Sequence, residues 1–236
     1  MIRRGDNSLK RITSHKHLAV RSASPSQQTT QIIIGQQSRC GRSIKRFGDA
    51  IFSLGMLSIG APLFICIALL VKASSPGPIF YIQRRVGRNY KHFGCIKFRT
   101  MKVDAEAILS TVLSDSPSMK KEFERDFKLR KDPRITHIGN FLRRSSLDEL
   151  PQFFNILKGE MSLVGPRPIV DEELERYGEY MEEVASVRPG LTGLWQVSGR
   201  NNLSYERRVR LDLAYARERS FLLDLAILRY FLFPII

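Results

Sequence analysis

The feature that most limits the fold of this chain is an uncharged apolar stretch from Ala50 to Val71. It consists mainly of Ile, Leu, Phe, Met and Ala. As a helix rising about 1.5 Å per residue it reaches roughly 33 Å, which is enough to cross the hydrocarbon core of a bilayer. The stretch therefore predicts a membrane helix, and a helix buried in a soluble core is the alternative.

Two details argue against a simple crossing. Pro62 lies at the centre of the stretch, where it removes a backbone hydrogen bond and kinks a helix. Basic residues on both flanks indicate that both ends stay on the cytoplasmic side. They are Arg39, Arg42, Lys45 and Arg46 before the stretch, and Lys72, Arg84, Arg85 and Arg88 after it. The pattern predicts a re-entrant membrane helix over residues 43–73.

Residues 1–42 are rich in Ser, Gln, Thr, Arg and Lys, which is typical of a disordered basic arm. No apolar segment starts near Met1, so a signal peptide is not predicted. Two interpretations of the arm stay open. It is either a solvated tail without function or a segment weakly attracted to an anionic membrane surface.

The formal net charge of +15 predicts anionic partners, namely nucleic acid, phospholipid or phosphorylated substrates. Nucleic acid is disfavoured, because helix-turn-helix, zinc and RNP-type signatures are missing and the arginines stand beside Gly/Pro turns and carboxylates. The cysteines Cys40, Cys66 and Cys95 are odd in number and contain no CxxC pair. We therefore expect neither disulfides nor a zinc site, and a reducing cytoplasm as the setting.

Downstream of the apolar stretch, short strands and amphipathic helices follow one another. Residues 79–83 and 93–98 predict a hairpin whose basic tip spans 84–91. Helices are predicted over 104–113, 120–129, 138–144, 171–187 and 205–219. The apolar residues 221–236 either lie in a membrane interface or pack on the core. The predicted fold class is α/β, mostly helical with a small sheet.

The stretch Ser146–Gln152 places two adjacent carboxylates, Asp148 and Glu149, at the start of a predicted helix. Pro151 is tolerated only in the first turn of a helix, so the helix is predicted to begin between Ser146 and Asp148. The free N–H groups of a helix start favour negative charge, whether a carboxylate or a phosphate. The alternative is that Ser146 and Glu149 form an ordinary capping box.

Four further motifs accompany this stretch. They are Lys97–Met101, Gly159–Pro168, Arg188–Gly193 and Gln196–Asn201. In this order the five motifs resemble the bacterial sugar transferase family, the monotopic polyprenyl-phosphate phosphoglycosyl transferases. The resemblance runs from about Lys45 to about Leu228. Among the members, the chain is most similar to short undecaprenyl-phosphate galactose phosphotransferases of exopolysaccharide synthesis.

The resemblance implies transfer of a hexose 1-phosphate, with galactose as the first choice, from a UDP-sugar to undecaprenyl phosphate with release of UMP. Asp148 then forms a covalent phosphosugar intermediate, and Glu149 handles metal or protons. Adjacent carboxylates favour Mg²⁺, so both are predicted metal ligands. The alternatives are glucose or an N-acetylated sugar, a non-catalytic membrane scaffold, and a basic nucleic-acid-binding protein.

Four arginines are predicted to bind substrate. Arg143, Arg167 and Arg200 match arginines in the family's active-site motifs, and Arg99 takes the place of a basic residue in the strand motif. Guanidinium groups suit phosphate oxygens, and several are needed to offset a diphosphate. The alternative for each is an ordinary surface salt bridge. Trp195 is either a platform near the nucleotide or an aromatic that caps the core.

The resemblance also implies the domain organisation and the location. A catalytic domain over residues 74–236 is expected on the cytoplasmic face of the bacterial inner membrane, anchored by the re-entrant helix. The expected partners are a UDP-sugar, undecaprenyl phosphate and the phospholipid membrane, and no nucleic acid. A homodimer is left open as the assembly.

Overall fold

The computed structural model describes residues 39–126, 129–199 and 203–232. The basic arm up to residue 38 and Arg200 lie outside the described residues. Helices dominate the described chain, and short strands form two small two-stranded sheets. The prediction of a mostly helical fold with little sheet is confirmed.

The apolar stretch forms two helices, α1 (Arg39–Ile59) and α2 (Ala61–Ser74), which are bent by 65° relative to each other. Pro62 stands in the first turn of α2, where its missing N–H is harmless, while its ring prevents α1 from continuing. The predicted kink is confirmed. Because α1 begins at Arg39, residues 39–42 belong to this helix and not to the arm. No single helix in the described residues has the length and composition to cross a membrane, whereas the bent pair together does.

The bent pair packs on the rest of the chain along a narrow face. Ile67 and Val71 of α2 are buried together with Phe98 and Leu142. Most of its other large apolar side chains are exposed, including Ile44, Phe47, Ile51, Leu54, Ile59, Ile65 and Leu69. An apolar surface of this extent marks contact with a membrane or another protein.

A β-hairpin follows the bent pair. Strand β1 (Phe80–Val86) pairs antiparallel with β2 (His92–Phe98), from Phe80 opposite Phe98 to Val86 opposite His92. The predicted hairpin is confirmed, although β1 extends to Val86 and leaves a shorter tip. That tip contains a 3₁₀ turn over Arg88–Tyr90, in which Asn89 and Tyr90 have positive φ of 53° and 60°.

Three helices follow the hairpin, close to their predicted bounds: α3 (Ala105–Asp115), α4 (Pro117–Asp126) and α5 (His137–Ser145). Helix α5 begins at an N-cap, where the Thr136 hydroxyl accepts a hydrogen bond from the Gly139 N–H at 2.9 Å. Leu142 is buried on the inner side of α5, next to α2. This helix leads directly into the carboxylate-bearing turn.

The main core lies where the hairpin, α6 (Gln152–Lys158) and the second sheet meet. In that sheet β3 (Ser162–Val164) pairs in parallel with β4 (Gly190–Thr192). Cys95, Ile156 and Met161 are fully buried there. Complete burial of an aliphatic side chain contributes about 1.5–3 kcal/mol, so this cluster fixes the hairpin against α6.

The single helix predicted over residues 171–187 is wrong. The segment is broken into a 3₁₀ turn at Asp171–Glu173, α7 (Leu174–Tyr177), a second 3₁₀ turn, and α8 (Met181–Ala185). Gly178 interrupts the helix, because it adopts a positive φ of 52°. Glycine adopts a positive φ without steric cost, whereas every residue of a regular right-handed helix has a negative φ.

The chain continues through α9 (Leu194–Val197), α10 (Tyr205–Glu218) and α11 (Phe221–Leu232). Ser204 caps α10 by accepting from the Arg207 N–H. On α11, Ile227 is 1% exposed in the main core, whereas Phe221 and Leu222 are 62% and 77% exposed. The apolar C-terminal helix therefore packs on the core with one face and leaves the other uncovered.

Asn155 connects α6 to the hairpin. Its buried side-chain amide donates to the Gly94 carbonyl at 2.7 Å and to Glu160 at 2.6 Å, and its oxygen accepts from the Ile96 N–H at 3.0 Å. Asn155→Ala removes all three bonds and is expected to lower the free energy of unfolding by about 2–4 kcal/mol.

Chemical denaturation of the detergent-solubilised chain measures this change. Asn140→Ala, at an exposed position of α5, is the matched control and is expected to stay within about 0.5 kcal/mol of wild type. Equal losses for the two variants would contradict a joining role for Asn155.

Candidate active site

The two adjacent carboxylates stand on a 3₁₀ turn, Leu147–Glu149, between α5 and α6. Helix α5 ends at Ser146, which is left-handed at φ 59°, and its N–H bonds to the carbonyls of Arg143 and Leu142. A helical element thus begins at Leu147, within the predicted range of Ser146 to Asp148, but as a 3₁₀ turn; the α-helix α6 itself begins only at Gln152.

The alternative capping box is not formed. The Ser146 side chain makes no capping hydrogen bond. An N-cap requires an extended backbone, whereas Ser146 has the left-handed conformation of a residue that ends a helix. Ending α5 in this way turns the chain sharply and brings Asp148 and Glu149 towards the hairpin.

Asp148 is nearly enclosed, with 9% of its surface exposed. Burial, followed by the neighbouring Glu149, raises the pKa of Asp148 to about 6, although Lys97 and Arg143 oppose the shift. The carboxylate is ionised at neutral pH in a setting that does not favour its charge. It is therefore a candidate nucleophile.

Glu149 experiences the opposite balance. Its Oε1 lies 2.7 Å from Nζ of Lys97 on β2. Burial alone would raise the pKa of Glu149, but Lys97 and then Arg167 hold it below the usual value. Two neighbouring carboxylates with pKa values moved in opposite directions are the arrangement expected where two acids have different tasks.

Glu149 lines a small open cleft, here called the carboxylate cleft. The other lining residues are Arg85, Cys95, Lys97, Gln152, Arg167, Pro168, Gly190, Leu191 and Gln196. Three of these side chains are cationic and one is anionic, so the cleft attracts a negatively charged ligand. Its charge suits a diphosphate.

Arg85 reaches the carboxylate cleft from β1 and is 8% exposed. Its guanidinium donates to the Pro168 carbonyl at 2.9 Å and lies 3.7 Å from Glu173. Burial, and then the neighbouring Arg167, lowers the pKa of Arg85. Two cations held close together in a cleft that is partly shielded from solvent are stabilised when an anion binds between them.

Arg167 is the predicted substrate arginine that the structure brings to the carboxylate cleft. The prolines on both sides restrict its backbone. Its guanidinium lies 5.8 Å from the ring centroid of Trp195, and that of Arg208 lies at 5.0 Å. Trp195 is 4% exposed, so it is a core aromatic with two cations on its ring.

Arg143 and Arg99 are placed differently. Arg143 belongs to the last turn of α5, and its Nε donates to the Thr100 hydroxyl at 2.9 Å. Arg99 donates to the carbonyls of Pro76 at 2.5 Å and Ser75 at 2.7 Å, so its guanidinium holds the loop between α2 and β1. Their substrate-binding roles stay predictions, as does that of Arg200, which lies outside the described residues.

Lys97 and Arg85 were missed as site residues, although the sequence contains the signal. Arg85 and Phe93 are opposite each other in the hairpin, as are Tyr81 and Lys97. Opposed residues share a face, and side chains alternate along each strand, so Arg85 and Lys97 project from the same face. The predicted hairpin, read with its register, would have placed both cations together.

The described residues contain no group of three or more His, Cys, Asp or Glu side chains that could hold a metal ion. Asp148 and Glu149 are therefore a pair without a third protein ligand of these types in the described chain. Such a pair fits Mg²⁺, which retains several waters and takes further oxygens from substrate phosphates.

Residues 40–233 match the bacterial sugar transferase family. The chain therefore belongs to that family and is a transferase enzyme, which confirms the resemblance seen in its motifs.

Several named proteins are similar in sequence to this chain. The chain is 50% identical over 187 residues to an uncharacterized sugar transferase of Haemophilus influenzae, covering 79% of this chain and 40% of that protein. It is 48% identical over 190 residues to the undecaprenyl-phosphate galactose phosphotransferase of Salmonella typhimurium, covering 80% and 40%. It is 45% identical over 203 residues to the exopolysaccharide production protein ExoY of Sinorhizobium fredii, covering 84% and 90%. The chain thus spans about 40% of the length of the first two relatives.

The two carboxylates give opposite predictions for stability. Because the pKa of Asp148 is raised to about 6 by burial, the folded state holds this proton more tightly than the unfolded state does. The contribution of the carboxyl group to stability falls as pH rises from about 4 to 6 and stays low above that range. Asp148→Asn is therefore expected to stabilise the fold by about 1–3 kcal/mol at pH 8 and by little near pH 4.

Chemical denaturation at both pH values, with EDTA present, measures this difference. Glu149→Gln is the contrasting variant: it removes the partner of Lys97 and is expected to destabilise the fold at pH 8. An effect of Asp148→Asn that is the same at pH 4 and pH 8 would contradict the raised pKa.

Proposed function

We propose that this enzyme transfers a hexose 1-phosphate from a UDP-sugar to undecaprenyl phosphate and releases UMP. The observation that carries the proposal is the turn with Asp148 and Glu149 beside a cleft lined by Arg85, Lys97 and Arg167. The Salmonella relative, an undecaprenyl-phosphate galactose phosphotransferase that is 48% identical, supports the same reaction.

In the first proposed step, a carboxylate oxygen of Asp148 attacks the β-phosphorus of the UDP-sugar. The new oxygen–phosphorus bond forms an acyl phosphate with the sugar phosphate, and the bond to the bridging oxygen breaks, so that UMP leaves with the electron pair. The attack requires ionised Asp148, and a pKa of about 6 leaves it ionised at neutral pH while retaining more basicity than an ordinary aspartate.

In the second proposed step, a phosphate oxygen of undecaprenyl phosphate attacks the same phosphorus. The acyl phosphate bond breaks, and the Asp148 carboxylate is regenerated without net proton transfer. The product is the sugar joined to the lipid through a diphosphate. Two easier displacements thereby replace one difficult transfer.

The cations explain how negative substrates approach a carboxylate nucleophile. Arg85, Lys97 and Arg167 offset the charge of the diphosphate, and fixed cations stabilise the charge that develops on the leaving UMP. Asp148 and Glu149 would hold Mg²⁺ together with substrate oxygens, and this ion would supply further charge neutralisation. The positive charge of Arg143 acts on Asp148 by lowering its pKa, and Arg143 is proposed to contact the same phosphate.

The bent helix pair is proposed to enter and leave the cytoplasmic leaflet of the inner membrane. Its exposed apolar side chains, the 65° bend and the basic residues on both flanks support this placement. Residues 43–73 then form the anchor, and the transferase domain from residue 74 onward lies on the cytoplasmic face, where it reaches both UDP-sugar and lipid.

Galactose is the sugar we propose, with glucose or an N-acetylated sugar as the alternatives. The name of the Salmonella relative supports galactose. The exopolysaccharide name of the Sinorhizobium relative supports a role at the start of exopolysaccharide assembly. Measuring UMP release from a panel of UDP-sugars identifies the substrate.

The nucleophile is tested with the first half-reaction. Wild-type protein incubated with UDP-galactose, and without lipid, is expected to release UMP and to gain the mass of one hexose phosphate at Asp148. Asp148→Asn lacks the attacking anion, so its turnover is expected to fall by at least about 10³-fold. Intact-protein and peptide mass spectrometry detect the adduct, and initial rates are expected to follow ping-pong kinetics.

Glu149→Gln separates the two carboxylates in the same assay. It retains the nucleophile and is expected to form the adduct slowly rather than not at all. Direct attack by the lipid phosphate would replace this mechanism if Asp148→Asn turned over normally and both substrates had to bind before UMP left.

The membrane placement is tested by topology. In inner-membrane vesicles, tags placed at residues 1 and 236 are expected to be cut by protease from the cytoplasmic side. Pro62→Leu removes the residue that ends α1 and is expected to favour a straight crossing, which would move one tag to the opposite side. Wild-type tags on opposite sides would contradict the re-entrant anchor.

A further inference from the structure

A second, open cavity lies beside the first half of α1 and is here called the basic cavity. Arg42, Lys45, Arg46 and Asp49 line it from a single face of α1, since they follow one another at helical spacing. Arg88 contributes from the hairpin tip, and further lining comes from β3 and from residues 186–188. The basic cavity shares no lining residue with the carboxylate cleft.

The lining of the basic cavity is strongly positive. Its basic side chains are Arg42, Lys45, Arg46, Arg88, Arg188 and Arg219, and its one acidic side chain among the described residues is Asp49. Of these cations, Lys45 forms an ion pair with a carboxylate in the described chain, at 2.6 Å from Asp224. The other basic side chains therefore give the lining of the basic cavity a net positive charge.

Two of these arginines are held in place by carbonyl groups. Arg46 donates to the carbonyls of Ile156 at 2.5 Å and Leu157 at 2.7 Å, and Nε of Arg188 donates to the Gly159 carbonyl at 2.8 Å. Carbonyl oxygens fix the orientation of a guanidinium group but leave its charge in place. The basic cavity is therefore preorganised as well as positive.

Arg88 has a hydrogen-bond donor that the described residues do not satisfy. Its Nε is buried and has no hydrogen-bond partner among the described residues. Burial lowers the pKa of Arg188 and of Arg219, and the nearby charge of Arg88 lowers both further. Mutual repulsion of this kind is relieved when an anion binds between the cations.

We propose that the basic cavity binds a phosphate ester, at a site separate from the carboxylate cleft. Guanidinium groups from α1, the hairpin tip and the end of α10 converge on it, and each offers paired donors that match phosphate oxygens. Arg42, Arg88 and Arg219 supply the charge that the ligand neutralises.

The headgroup of an anionic phospholipid is the source that fits this position. Arg46 precedes the apolar stretch at Ala50 by four residues, which is about 6 Å along a helix. With α1 and α2 seated in the membrane, a placement that this assignment takes from the proposed function, the basic cavity lies at the level of the headgroups. Basic pockets at that level recognise anionic lipids.

Native mass spectrometry of the full chain in neutral detergent, titrated with short-chain phosphatidylglycerol, tests the site. The double variant Arg88→Gln/Arg219→Gln is expected to bind this lipid at least about tenfold more weakly than wild type. Arg210→Gln removes an exposed charge on α10 outside the basic cavity and is expected to bind within about twofold of wild type.

Thermal unfolding separates loss of binding from loss of fold. Without lipid, the double variant is expected to unfold at or above the wild-type midpoint, because two like charges have been removed from the cluster. The lipid is expected to raise the midpoint of wild type and of Arg210→Gln but not that of the double variant. Equal affinity and equal lipid-induced shifts in all three proteins would overturn the proposal.

Inorganic phosphate distinguishes the two sources of the ligand. At the same concentration as the lipid, it is expected not to displace phosphatidylglycerol. Full displacement would support a phosphate site and overturn its assignment to a lipid. UMP release is measured on the same samples, and an inactive wild-type protein with the expected lipid binding would contradict the transferase proposal alone.

Discussion

The ion pair between Lys97 and Glu149 is the interaction on which the arrangement of the site depends. It joins β2 to the 3₁₀ turn at 2.7 Å. Because only Glu149 is paired with Lys97, the two neighbouring carboxylates have different electrostatic environments. Glu149 is kept ionised by its cation, while burial raises the pKa of Asp148 to about 6. If both acids lacked a cation, their mutual repulsion and burial would leave one of them protonated at neutral pH. With Lys97 in place, both are ionised at neutral pH, and only Asp148 is left in an environment that disfavours its charge.

The ion pair between Lys97 and Glu149 requires a fixed distance between β2 and the turn. Hydrogen bonds of buried polar side chains maintain that distance. Asn155 joins α6 to the backbone of Gly94 and Ile96, and Arg143 joins the end of α5 to Thr100, just beyond β2. The turn is thus held against the hairpin from both of its ends. Polar bonds of this kind are directional, so they fix the position of the strand more narrowly than apolar packing alone does. The hairpin is therefore the structural base for the carboxylate pair as well as the source of two cations.

The sequence predicted the features that depend on local pattern and missed those that depend on how segments meet. The hairpin, the bend at Pro62 and the carboxylate pair each follow from a few adjacent residues, and the structure contains them. Near Ser146 the sequence located a helical start but not its 3₁₀ form, because the left-handed end of α5 determines that backbone and no local pattern indicates it. The helix over residues 171–187 was wrong because apolar periodicity continued across Gly178, whose positive φ breaks the helix. Arg85 and Lys97 needed the strand register in addition to the strand assignment.

A short helix connects the bent helix pair to the candidate site. Arg46 on α1 donates to the carbonyls of Ile156 and Leu157 at the C-terminal end of α6, where a cation is favoured by the helix dipole. The other end of α6 begins directly after the turn that contains Asp148 and Glu149. Helix α6 has seven residues and is about 10 Å long, so the contacts of Arg46 lie one short helix away from the turn. The turn with Asp148 and Glu149 is therefore linked to α1 through α6 as well as to the hairpin through Lys97.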